Sequence, residues 1–326
     1  MRVSYTPDYY VELTSGHPFP MGKFPAFKQI LCSEGLIRPQ DIVAPEEVGW
    51  DALELVHTPD YLRELRDGRM SKSAERRMGL PWSQALVRRS RLAVQGTLSA
   101  TRMALTDGIA ANLAGGTHHA FPDHAEGFCV LNDIAVTIRL LQRQHEIERA
   151  LVIDLDVHQG NGNAAALPQG TGAFTFSMHG ARNYPFDKEK SSLDVPLNDG
   201  ITDDAYIEAL EHHLPLALDR ARADIVFYLA GVDLAAGDRY GRLSLSRAGL
   251  HRRECTVLEA VHERGLATVL LMSGGYASTP TETADLHAIV HREAHSLSFA
   301  PMSGHARAAG AEPVTSPPTP EGNLLS

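Results

Sequence analysis

"RALVIDLDVHQGNG", residues 149–162, is the stretch that decides the fold. Its first half is a short apolar run rich in β-branched residues, as expected of a strand buried on both faces. Its second half presents Asp154, Asp156 and His158, spaced two residues apart. In an extended backbone that spacing points all three side chains to one face. Three charged or ligating groups crowded on one face are costly unless a counter-charge compensates them. A metal ion is the simplest such counter-charge, and it would take a further ligand from elsewhere in the chain.

Working outward, "GAFTFSM" (172–178), "DIVFYLAG" (224–231) and "ATVLLMSGG" (267–275) have the same apolar character and read as further buried strands. Helical patterns lie between them. Thr58 reads as an N-cap, with Pro59 at the first helical position and Gly68 as the stop. "DIAVTIRLLQRQ" (133–144) is a second helix. Thr202 reads as the N-cap of a third, with Asp203 and Asp204 in its first turn. A fourth begins at Ser246 and stops at Gly265. Strands alternating with helices imply an α/β fold: a single-domain, open, mostly parallel sheet with helices on both faces. Ligands of such sheets bind beyond the carboxyl ends of the strands. Asp154 to His158, Ser177 to His179, Asp233 and Tyr276 all fall at that end of their strands.

Asp156, His158 and Asp233 together make two carboxylates and one imidazole, which leaves positions open for water and substrate as a catalytic metal site does. His118 and His119 follow Gly115 and Gly116, in a loop where backbone can approach a ligand closely. Two imidazoles there suit an acid and a base. The other adjacent pair, His212 and His213, lies within a helical pattern and reads as surface or satisfied. Gly127-Phe128-Cys129 follows the dihistidine loop; Phe128 is either core or the wall of a narrow channel. Cys129 reads as a small buried group, since no activating constellation accompanies it. Tyr276, after Gly274 and Gly275, is either a turn tyrosine or a phenol placed to hydrogen-bond an oxyanion.

Composition narrows the function classes. The 326 residues are 43% hydrophobic and 21% charged, with a net charge of −10. An acidic balance argues against nucleic acid as a direct partner. Cys32, Cys129 and Cys255 are odd in number and form no CxxC, so neither a disulfide framework nor a cysteine zinc site is indicated. The chain opens without a signal-peptide pattern and has no apolar run long enough for a membrane span; a cytoplasmic location is expected. From residue 301 the composition turns to Pro, Gly, Ser and Ala, so residues 1–300 are expected to form the domain and 301–326 a disordered tail.

"HHAFPDHAEGFC", "DLDVHQGNG", "AGVDLAAGDRYG" and "SGGYA", in this order, resemble the histone deacetylase superfamily, which includes acetylpolyamine amidohydrolases and acetoin-utilisation proteins. The likeness spans residues 1 to 300, and "HPFPMGKF" and the Gln of "DVHQGNG" resemble its class IV branch and bacterial relatives. The resemblance implies an arginase/deacetylase-like sheet and a zinc ion, or iron in the cell, held by Asp156, His158 and Asp233. It implies a catalytic dyad of His118 and His119, oriented by Asp154 and Asn161, with Tyr276 polarising the scissile carbonyl. It places Gly127, Phe128 and Tyr184 along an acyl-lysine channel. It also implies a structural potassium ion against Asp154 and backbone oxygens of Asp156, His158, Ser177 and Met178. Many members have a His where this chain has Gln159 and an Asp where it has Asn161. Asn161 can accept a hydrogen bond from His119 but brings no charge, so the His119 imidazolium is expected to be less favoured.

The activity expected is hydrolysis of the lysine side-chain amide in acetylated or longer-acylated proteins. Two rivals are an acetylpolyamine or small-amide deacetylase and a metal-pocket binding protein without turnover. The persistence of His118, His119 and Tyr276 speaks against the second. Oligomeric state is not legible.

Overall fold

The computed structural model describes residues 1–297, so the expected tail lies outside the described residues. The strands are β1 (Arg2–Ser4), β2 (Ile42–Val43), β3 (Ile109–Asn112), β4 (Ala150–Asp154), β5 (Ala173–Gly180), β6 (Leu193–Leu197), β7 (Ile225–Leu229) and β8 (Ala267–Leu271). They form one 8-stranded sheet in the order β2-β1-β3-β8-β7-β4-β5-β6. Every pairing is parallel. The four strands read from sequence are β4, β5, β7 and β8, the buried centre of the sheet and its neighbour. The others carry weaker signals. Strand β3 is "IAAN", fully buried but built of small residues, and β6 is an edge strand containing Pro196.

The helices are α1 (Lys23–Ser33), α2 (Trp50–Leu53), α3 (Pro59–Asp67), α4 (Lys72–Met78), α5 (Gln84–Asp107), α6 (Asp133–Arg143), α7 (Asn161–Ala166), α8 (Asp203–Ala221), α9 (Arg247–Glu263) and α10 (Pro280–Ser296). The sheet's period-2 alternation divides the core into two layers. Ala150, Val152, Ile225, Phe227 and Val269 face α5 and α6. Leu151, Ile153, Val226, Tyr228 and Leu270 face the other way, toward the apolar side chains of α8, α9 and α10. Helices therefore cover both faces, as the sequence predicts.

Local signals behave largely as expected. The Thr58 hydroxyl accepts from Tyr61 N, and Gly68 closes α3 in the left-handed conformation at φ 67°. Thr202 occupies the cap position of α8, but its side chain makes no capping bond. The adjacent Asp203 instead accepts from Ser246 N at 2.8 Å and Ser246 Oγ at 2.5 Å, tying the start of α8 to that of α9. His213 Nδ1 donates within its own helix to Ala209 O, and His212 is exposed, as read.

Candidate active site

The carboxyl ends of β3, β4, β5, β7 and β8 open on one side of the sheet, and each feeds a loop that carries a candidate residue. Asp156 and His158 leave β4, and Asp233 leaves β7, its neighbour in the sheet. The side chains of Asp156, His158 and Asp233 are buried and offer ligand atoms that all lie within 4.8 Å of one another. His158 Nδ1 stands 3.0 Å from Asp156 Oδ1 and 3.1 Å from Asp233 Oδ2. Burial and the charge of Asp156 push Asp233 upward to about 7. Burial opposes charge on His158 too, but the two carboxylates outweigh it and hold the imidazole up at about 10. The cluster thus draws positive charge to its centre.

Asp156 Oδ2 accepts from Gly274 N at 2.6 Å and Ser273 Oγ at 2.8 Å. Asp233 Oδ1 accepts from Val157 N at 3.0 Å, while Asp233 Oδ2 is buried with no well-aligned hydrogen bond, its polar neighbour being His158 Nδ1 at 3.1 Å. A buried acceptor left unpaired costs about 1–3 kcal/mol. That poorly satisfied oxygen, with two hard donors and one imidazole converging, fits a divalent cation of the zinc, iron, manganese or cobalt kind. Gly274 makes the approach sterically feasible: a Cβ there would stand 2.1 Å from Asp233 Oδ2 and 2.6 Å from Asp156 Oδ2.

The dihistidine loop lies beside this cluster. His118 and His119 are buried, with ring centroids 4.1 Å apart. His118 Nδ1 is 2.9 Å from Asp154 Oδ2, and His119 Nδ1 is 2.6 Å from Asn161 Oδ1. Burial disfavours the His118 cation, but Asp154 and Asp156 raise it to about 9. His119 goes the other way, well below the usual histidine range, through burial and then the charges of His118 and His158. The hydrogen bond with Asn161 favours the cation but does not outweigh these effects.

A carboxylate nevertheless stands one step farther out. Asn161 Nδ2 donates to Glu126 Oε1 at 2.9 Å. Burial works against the Glu126 anion, yet hydrogen bonds from His124, Tyr184 and Asn161 bring it down to about 2. An anionic carboxylate only accepts, so it fixes the amide orientation of Asn161 and aims Oδ1 at His119. Asn161 Oδ1 then requires a donor, which puts the proton of neutral His119 on Nδ1 and leaves the Nε2 lone pair free.

Tyr276, Phe128, Tyr184 and Gly127 line one cavity of about 280 Å³, together with His119, His158, Tyr240, Arg76 and Arg77. Phe128 both lines this cavity and packs against the core. It sits at φ 66°, pinned by Phe128 N donating to Met78 O at 2.8 Å. Gly127, at φ 55°, packs on His119: a Cβ there would lie 2.6 Å from the imidazole Cδ2. Tyr184 meets His119 edge-on at a centroid distance of 5.2 Å. An inner recess of about 40 Å³ continues past Tyr276 and His118 to Lys23 and Arg89. Ser177 pairs in register with Asp154, and Met178 follows it in β5, both buried. Cys129 is buried, and that burial pushes its thiol far above the usual range, as its inert reading requires.

Sequence reasoning assigned no part to several groups that hold the site. Asp133, at the start of α6, accepts from Gly116 N at 3.1 Å and Thr117 N at 2.8 Å, anchoring the dihistidine loop. Asp238 accepts from Tyr276 N at 2.7 Å and Tyr240 N at 2.9 Å. Arg253, fully buried on α9, donates from Nη1 to Gly231 O at 2.6 Å and Leu155 O at 3.2 Å, bracing both ligand-bearing loops. Gln159 donates to Glu189 O at 2.6 Å and Asp194 Oδ1 at 2.8 Å and accepts from Glu189 N at 2.9 Å. Its amide fastens the loop after Tyr184. Asp238 had a signal, lying within the quoted "AGVDLAAGDRYG"; Arg253 had none, being one polar residue among several in a helix.

The sequence model of the histone deacetylase domain matches residues 17–291. The chain belongs to the histone deacetylase family. It is 42% identical to an uncharacterized protein of Picosynechococcus sp. over 295 residues, covering 90% of this chain and 98% of that one. It is 32% identical to histone deacetylase 2 of Arabidopsis thaliana, over 80% of this chain and 70% of the plant protein. Among solved structures, a histone deacetylase homologue from Aquifex aeolicus superposes with a TM-score of 0.75 at 26% identity, covering 90% of this chain and 84% of that one. Family membership carries a deacetylase hydrolase activity and the shared α/β sheet described above.

Proposed function

We propose that the protein is a zinc-type, metal-dependent deacetylase that removes acetyl or longer acyl groups from lysine side chains. The observation that carries this reading is the buried, poorly satisfied Asp233 Oδ2 beside Asp156 and His158, the imidazole of which lines the aromatic cavity. Asp156, His158 and Asp233 would hold the cation, and iron fits the same donor set. When bound, such a cation polarises a carbonyl and acidifies water. Potassium against Asp154, with backbone oxygens of Asp156, His158, Ser177 and Met178, is part of the same proposal.

The chain's own groups do the rest. Phe128 and Tyr184 grip the methylene stem of the lysine and exclude water. His119 Nε2, with its lone pair free, takes a proton from the attacking water. The Tyr276 phenol donates to the carbonyl oxygen as it becomes an oxyanion. Because the His119 imidazolium is disfavoured, it hands its proton on readily to the leaving amine nitrogen. Lys23 and Arg89 in the inner recess suit the carboxylate released. Burial lowers both, Lys23 to about 8 and Arg89 to about 10, and both are cationic at neutral pH.

The exposed guanidiniums of Arg76 and Arg77 at the cavity lining support acyl-lysine peptides over acetylated polyamines, whose extra ammonium groups they would repel. Acetyl-lysine peptide should exceed acetylspermidine in kcat/KM by at least about tenfold, or ~1.4 kcal/mol. An Arg76→Glu/Arg77→Glu variant should narrow that gap. Acetylspermidine as the better substrate of the wild type would refute the lysine reading.

Gly274→Ala should weaken metal binding by roughly 10–100-fold, the range for disturbing groups that orient ligands. Equilibrium titration of the metal-depleted variant, folded by circular dichroism, checks it; wild-type affinity would show that the two carboxylates tolerate the methyl group.

A further inference from the structure

Among the described residues one other group of side chains has metal-ligand geometry, and it is remote from the cavity in composition and position. His251 and Cys255 stand one turn apart on α9, so both project from the same face of that helix. Glu293, on α10, meets them where the two helices pack. His251 Nε2 is 2.8 Å from Glu293 Oε2, and Cys255 Sγ is 3.9 Å from the same nitrogen. The ligand atoms of all three lie within 4.8 Å of one another.

A sulfur, a nitrogen and an oxygen around one tetrahedral zinc, with bonds of about 2.3, 2.0 and 2.1 Å, would stand about 3.6 Å (S to N) and about 3.3 Å (N to O) apart. The observed S to N separation is about 0.3 Å longer than this and the N to O separation about 0.5 Å shorter, differences that small side-chain rotations close. The carboxylate is already turned toward the imidazole, with Oε2 at 2.8 Å from His251 Nε2. The surroundings are anionic: burial and then Glu293, Glu259 and Glu254 raise the Cys255 thiol to about 11. That field, together with a sulfur placed almost equally far from both ring nitrogens, 3.8 and 3.9 Å, does not make Cys255 a nucleophile activated by His251. It does favour a cation.

We propose that His251, Cys255 and Glu293 form a second divalent-cation site, of zinc type, that clasps α9 to α10. The cation replaces the thiol proton and any proton on His251 Nε2, so binding releases protons. With His251 exposed, the fourth position is open to water. The clasp joins the helix whose Arg253 braces both ligand loops to the helix that begins just after the Tyr276 loop.

Cobalt distinguishes the two sites, because the cavity cluster offers only oxygen and nitrogen, whereas this one offers a thiolate. Metal-depleted full-length protein titrated with Co²⁺ should take up two equivalents and develop a near-ultraviolet thiolate-to-cobalt band. Cys255→Ser and His251→Ala should each take up one equivalent, lose the band and keep wild-type deacetylase activity on acetyl-lysine peptide. The second equivalent should raise the melting temperature of the wild type only. Uptake of a single equivalent by the wild type without a thiolate band, or a band undiminished in Cys255→Ser, would overturn the proposal. Neither readout depends on the catalytic reading, since the band and the second equivalent arise outside the cavity.

Discussion

Asp233→Ala will strip the divalent cation from the cavity and take turnover to background. The substitution leaves Asp156 and His158 as an incomplete ligand pair and removes the poorly satisfied Oδ2 that the cation satisfies. It also removes the acceptor for Val157 N, which precedes His158. Asp233→Asn separates these effects, because the amide oxygen can still accept from Val157 while the charge is gone. Both variants should bind far less than the about one cation per chain expected at a three-ligand catalytic site. Elemental analysis of the folded proteins in a Cys255→Ser background, which lacks the second site, decides the matter. Retention of the cavity cation in Asp233→Ala would remove Asp233 from the ligand set.

Tyr276→Phe should leave folding and metal content intact while lowering kcat by ~10²–10³-fold, the usual cost of losing one donor to an oxyanion. The backbone anchor, Tyr276 N to Asp238 Oδ2 at 2.7 Å, is untouched by this change. So are the ring contacts with Tyr240 and Phe128, at centroid distances of 4.9 and 5.9 Å. The loss should therefore fall on kcat rather than KM, because the phenol acts when charge develops on oxygen. Single-turnover rates on acetyl-lysine peptide check it. Near-normal turnover would make Tyr276 a wall residue and nothing more.

The candidate site residues were legible because strand periodicity and chain direction place them. Asp154 ends β4 and Asp156 and His158 follow it, and the sheet's parallel order brings Asp233 and Tyr276 to the same edge. What periodicity does not encode is the partner that arrives from elsewhere in the chain. Glu126 reaches Asn161 from 35 positions away and turns an uncharged amide into a fixed tautomer selector for His119. Arg253 reaches Leu155 from 98 positions away. Phe128 was ambiguous for a related reason: its place in the wall depends on a positive φ and on a hydrogen bond to the end of α4, neither of which hydrophobicity reports. The long helix α5 was unread although Ser83 caps it, its side chain accepting from Leu86 N at 3.0 Å. Its mixed sequence, with Arg89, Ser90, Thr97 and Thr101 buried, blurs the apolar stripe.

The most direct measurement is acetate release from an acetyl-lysine peptide by purified enzyme, before chelation, after removal of metal, and after adding back Zn²⁺ or Fe²⁺. The account predicts equal amounts of acetate and free lysine side chain, loss of both on chelation, and recovery on reloading. No acetate from metal-loaded protein, or release that continues after elemental analysis finds the cavity free of metal, would contradict it.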